Sequence, residues 1–106
     1  MTKYGKKYNF GDIIITKVQF SDTFEIKKRP ALVLFEEYGN VICAVITSNP
    51  YMRGIKLSKE EGLIADSVIK INYIFTVSER MIEKFLFKIS NIKKETIKRE
   101  LLTRLN

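Results

Sequence analysis

A chain of 106 residues with 45% apolar side chains has room for one domain with a modest core, a composition that favours a folded chain over a disordered one. Nineteen basic residues against twelve acidic leave a formal charge of +7, which favours a polyanionic partner but equally suits a basic surface kept for solubility. Histidine is absent and Cys43 stands alone, so histidine general bases, Ser-His-Asp triads, the usual zinc sites and intramolecular disulfides are all excluded.

In chain order, Met1 to Phe10 is polar and lysine-rich and reads as the loose arm of a single domain that fills residues 1–106. Gly11-Asp12 opens the β-branched run Ile13 to Val18, which predicts a strand. Gln19 to Lys28 lacks helical periodicity and reads as a long loop, with Phe20 and Phe24 either folded back onto the sheet or serving as a stacking platform. Arg29-Pro30 opens the second strand, at a first position where proline need not donate to the ladder. Ala31 to Phe35 and Val41 to Ile46 are apolar on both faces and predict central strands, with Cys43 as a buried structural thiol.

Asn49-Pro50 is a turn signal, followed by loop to Gly54 and a short strand at Ile55 to Leu57. Ser58 to Glu61 matches a capping box, cut to one turn by Gly62. Asp66 to Ile71 predicts another strand, with Tyr73 to Val77 its continuation or a further one. Ser78 to Ile82 reads as a helical turn and Phe85 to Ile89 as a last short strand. Ser90 or Asn91 caps a helix running to about Leu105, with Ile97, Leu101 and Leu105 on one apolar face and Leu102 beside it. The expected architecture is mainly β, a small, strongly curved antiparallel barrel with a C-terminal α-helix. No stretch approaches the roughly 18 apolar residues of a membrane helix, so a cytoplasmic protein without a membrane partner is expected.

The two central strands flank a Gly39-Asn40 turn, so their outer ends meet. A hairpin centred on Tyr38 sets Arg29 opposite Thr47; one centred between Tyr38 and Gly39 sets Arg29 opposite Ser48. Either register gathers a guanidinium and two hydroxyls. Such a group is often no more than a surface salt bridge and cap. It also suits cleavage of RNA, whose own 2′-hydroxyl is the nucleophile, so neither metal nor cofactor is required. Arg29 would hold two phosphate oxygens while Thr47 and Ser48 donate to a non-bridging oxygen. An arginine is a poor acid or base near neutrality, so the proton has no evident handler and slow turnover is expected.

Gly11-Asp12-Ile13, Phe20-Ser21-Asp22, Lys28 to Leu34, Ile46-Thr47-Ser48, Glu61-Gly62-Leu63 and Asp66-Ser67 follow one another as they do in the PemK/MazF family, which the chain resembles from about Gly11 into the last helix. The resemblance implies an SH3-like barrel working as a homodimer. It implies a toxin of a toxin–antitoxin pair that cleaves single-stranded RNA at short sequences without metal, leaving a 2′,3′-cyclic phosphate. It also implies inhibition by an antitoxin whose disordered segment blocks the RNA groove. By position, Arg29 and Thr47 match the catalytic pair, and Phe20 to Lys28 the loop beside the RNA. The expected RNA-binding residues are thus Phe20, Ser21, Lys27, Lys28, Ser48 and Lys70. Where some relatives carry an acid and a glutamine after the basic residue, this chain has Asn72 and Tyr73. Two other functions stay open: a gyrase-poisoning toxin of the same fold, and a basic barrel that binds nucleic acid without cutting it.

Overall fold

The computed structural model describes residues 7–19, 25–49 and 51–106, so Met1 to Lys6, Phe20, Ser21, Phe24 and Pro50 lie outside the described residues. The strands are β1 (Asp12–Gln19), β2 (Ile26–Glu37), β3 (Asn40–Thr47), β4 (Ile55–Leu57), β5 (Ser67–Ser78) and β6 (Ile82–Lys88), and the helix α1 is Asn91–Leu105. Every pairing is antiparallel and the order is β4-β5-β3-β2-β1-β6, a sheet curled into a half-barrel. Among the described residues no helix is long and apolar enough to cross a membrane.

Both faces of the central strands are buried, as their unbroken apolar runs require. Alternation sends Ile13, Leu32, Ala44, Ile46 and Ile69 into one core, which Ile97 of α1 joins, and Ile14, Ala31, Val33, Val41, Cys43 and Val77 into a second on the opposite face. The hairpin between β2 and β3 turns through Tyr38 and Gly39, both at positive φ (54° and 80°), the twist a two-residue turn needs. Next to that turn, Glu37↔Asn40 to Phe35↔Ile42 are centred between Tyr38 and Gly39. A bulge between Val33 and Phe35 then shifts the pairing, so Val33↔Cys43 to Ala31↔Val45 are centred on Tyr38. Each of the two registers expected from the sequence therefore occupies one part of the hairpin.

Several boundaries differ from expectation. β2 begins at Ile26 rather than Arg29, because β1 supplies a paired neighbour for Ile26 to Lys28 and polar residues suffice at a solvated ladder. The loop expected from Gln19 to Lys28 thus loses Ile26 to Lys28 to β2 and Gln19 to β1. β6 begins at Ile82, three positions before the apolar run, again because β1 pairs with it. β5 is continuous through Asn72. Residues Lys7 to Phe10 are tied down rather than loose. The Lys7 and Tyr8 amides donate to the buried Glu36 carboxylate at 3.1 and 2.9 Å, and Phe10 packs on the main core.

The helix starts where Ser90 caps it, its Oγ accepting from the Lys93 amide at 3.2 Å. Only Ile97 is fully buried, with Leu101 packed beside it; Leu102 and Leu105 are 62% and 80% exposed. Helical periodicity marks a face but not how much sheet lies beneath it, and Leu105 sits about 12 Å beyond Ile97 along the axis. Lys93 Nζ donates to the Lys56 carbonyl on edge strand β4 at 2.6 Å and to Glu61 at 3.2 Å. Burial pushes the Glu61 carboxyl up, but the Ser58 amide and the Lys93 ammonium outweigh it and hold the group below its ordinary value. Gly62, at φ 132°, lies so close to Phe87 of β6 that a β-carbon there would meet the ring at 2.5 Å, which draws the two edges of the sheet together.

Candidate functional site

The β2–β3 ladder stops at Ala31↔Val45 although both strands run on, β2 to Ile26 paired with β1 and β3 to Thr47 paired with β5. Pro30 is the first residue past the last pair and has no N–H to give. Beyond it the sheet parts, and a cleft of about 690 Å³ occupies the split. Arg29 and Pro30 line one side and Thr47 and Ser48 the other, with Val18, Val45 and Phe75 among the apolar walls.

Arg29 and Thr47 share a face, since each lies an even number of positions from a residue of the second core, Ala31 and Cys43. Arg29 is exposed and, among the described residues, its guanidinium makes no ion pair or hydrogen bond. Its charge is therefore uncommitted, unlike that of a structural surface arginine. Thr47 has a partly structural role: its Oγ1 accepts from the Asn49 amide at 3.2 Å, and Asn49 Oδ1 in turn accepts from the Tyr51 amide at 2.9 Å. That arrangement orients the hydroxyl and leaves its proton available to a ligand.

The other expected RNA-binding residues divide. Ser48 is in the cleft. Lys27 shares the Arg29 face by alternation and lies 3.9 Å from Glu25. Lys28 points to the opposite face, where it and Lys17, its partner across the ladder, approach Glu83 at 3.2 and 3.7 Å. The Lys28 ammonium holds the Glu83 carboxyl below its ordinary value, with Lys17 adding to the effect. Lys70 does not line the cleft but the groove next to it, beside Arg53 and Arg104, with Asn72 between the two; it is mostly buried and donates to the Arg53 carbonyl. Phe20 and Ser21 lie outside the described residues.

The sequence reading missed how much β5 contributes. Ser67, Asn72, Tyr73, Ile74 and Phe75 all line the cleft. A polar Asn72 interrupting an apolar run was the available signal, since an isolated break of that kind marks an irregularity in a strand. No carboxylate is among the described residues of the cleft.

Cys43 takes no part. It is fully buried and burial pushes its thiol up to about 12. Native protein at pH 8 should leave an aromatic disulfide reagent unreacted, with one thiol titrating only in guanidinium; fast native labelling would contradict this placement.

A family model described as PemK-like, MazF-like toxin of type II toxin–antitoxin system matches residues 9–105. No curated protein matches the chain.

Proposed function

The chain belongs to the PemK-like, MazF-like toxin family of type II toxin–antitoxin systems, and on that premise we propose that it is a metal-independent endoribonuclease acting on single-stranded RNA. As a type II toxin it has an antitoxin protein for a partner. The observation that carries the enzymatic reading is the uncommitted Arg29 guanidinium across the split from Thr47.

In this reading RNA lies in the cleft with one phosphate between Arg29 and Thr47. The 2′-oxygen attacks phosphorus, the bond to the 5′-oxygen breaks, and the products are a 2′,3′-cyclic phosphate and a 5′-hydroxyl. Arg29 stabilises the charge that accumulates on the non-bridging oxygens, where two parallel N–H donors match two oxygens. Thr47, oriented by the Asn49 amide, donates a third hydrogen bond, and Ser48 a fourth. The 2′-hydroxyl proton leaves through water, since the chain has no histidine and no carboxylate is among the described residues of the cleft, and the leaving oxygen takes its proton from the same source. That route makes proton transfer slow and turnover modest. Residues 1–106 form a single cytoplasmic domain that works as a homodimer, the association covering apolar side chains that a small domain cannot bury alone.

Purified protein incubated with several RNAs in excess EDTA should cut at a few sites and leave 2′,3′-cyclic phosphate ends, while gyrase supercoiling proceeds undisturbed. Intact RNA under these conditions, or cutting only after a divalent cation is restored, would overturn the reading.

A further inference from the structure

We propose that Asn72 and Tyr73 read a nucleobase next to the scissile phosphate, and that the base they select is adenine; this rests on the endoribonuclease reading above. The starting point is an irregularity in β5. Val45 pairs with Lys70 and the preceding Ala44 pairs with Ile74, so Ile71, Asn72 and Tyr73 have no partners on β3. Bulges of this kind re-aim side chains and gather beside active sites. Here Ile71 is drawn into the main core, which anchors the bulge. Asn72 and Tyr73 are turned outward instead, both exposed and both lining the cleft that holds Arg29 and Thr47.

Two further observations give the pair a recognition role. Among the described residues the Asn72 side-chain amide has no hydrogen-bond partner, whereas that of Asn49 accepts from the Tyr51 amide and shapes its loop. The Tyr73 ring, 52% exposed, has Lys70 Nζ over it at 5.7 Å from the centroid. That ammonium is itself committed to the Arg53 carbonyl. One face of the ring is thus approached by a held cation, and among the described residues the exposed half of Tyr73 is left for an unstacked base.

A side-chain amide presents an acceptor and a donor side by side. Adenine offers the complement on its Hoogsteen edge, N6–H to Oδ1 and N7 from Nδ2–H. On that edge guanine presents two acceptors and leaves Oδ1 facing oxygen, and pyrimidines have no N7; the Watson–Crick edge of every unpaired base also sets a donor beside an acceptor, so adenine is favoured as the one base that matches the amide on both edges. A matched pair of this type discriminates by roughly ten- to a hundred-fold. The charge of Arg29 positions the backbone without sequence information, and the bulge supplies that information.

The test begins by mapping the wild-type cut sites in a random single-stranded RNA library. Oligonucleotides of the mapped sequence are then made with 7-deazaadenosine, which lacks the N7 acceptor, at each adenine flanking the cut. Binding is measured in parallel on versions with a 2′-deoxy nucleotide at the cleaved position, which cannot react. Adenine should flank the cut, and 7-deazaadenosine should lower both kcat/KM and affinity roughly ten-fold. Asn72→Ala should still cut but lose the adenine preference and its sensitivity to the deaza base. Asn72→Asp, which exchanges donors for an acceptor at constant volume, should move the preference away from adenine. Tyr73→Leu should weaken binding about ten-fold while Tyr73→Phe does not.

An unchanged cut-site preference in both Asn72 variants, or indifference of the wild type to the deaza base, would overturn the proposal. If the wild type leaves every RNA whole, the nuclease reading fails separately. Base recognition then stands or falls on whether affinity for short adenine-containing single-stranded RNAs falls when 7-deazaadenosine replaces adenosine, and on whether that dependence is lost in Asn72→Ala.

Discussion

Replacing Arg29 with alanine is expected to lower the rate of RNA cleavage by roughly a hundred- to a thousand-fold, the loss seen when one preorganised donor to a developing oxyanion is removed. The fold should not notice. Arg29 is exposed and unpaired among the described residues, and such surface changes alter stability by no more than about 0.5 kcal/mol. Arg29→Lys keeps the charge but not the planar fork, so it should recover only part of the loss. Single-turnover cleavage in EDTA, with thermal melts run alongside, decides the matter. Wild-type cutting by a well-folded Arg29→Ala protein would remove Arg29 from the chemistry and with it the reading of the cleft.

The largest effect on stability should come from Ile97→Ala. Ile97 is fully buried in the main core and is the one buried residue of α1. Removing its three outer carbons leaves a cavity beneath the helix, at a cost of about 2–5 kcal/mol. For a domain of this size that lowers Tm by on the order of 15 °C. The damage should spread beyond the helix, because the Lys93 contacts to Lys56 and Glu61 that tie α1 to β4 depend on its docking. Calorimetry reads the first effect and amide exchange in Ile55 to Leu57 the second. A shift under 3 °C or so, less than the scale for 1 kcal/mol, would mean the helix contributes little to the fold.

The order of elements, the hairpin turn, the capped start of the helix and the family were all legible in the residues. Each depends on patterns read within a few positions: apolar runs of strand length, glycine where φ is positive, a serine ahead of a helical period. Arg29 and Thr47 were legible as sharing one end of the hairpin for the same reason, since a hairpin register is set by its turn, although no ladder pair joins them. The β2–β3 bulge was not legible, and it combines the two registers that the sequence left as alternatives.

What the chain could not specify locally is where two strands stop pairing. Whether β2 follows β3 or β1 past Ala31 depends on which neighbour takes each backbone N–H and C=O, and that is decided by the whole curled sheet. The split that makes the cleft is therefore a tertiary property. So are the unpaired stretch of β5 that turns Asn72 and Tyr73 into the cleft, and the placement of Lys70 outside it. The exposure of Leu102 and Leu105 is another, because an apolar stripe is drawn by sequence but covered only where sheet lies beneath it. By itself the sequence determined the elements, their order and that Arg29 and Thr47 stand at the same outer end of one hairpin. Only the tertiary structure decided that the strands part between Arg29 and Thr47, because backbone hydrogen bonds, unlike side-chain patterns, are shared among strands far apart in the chain.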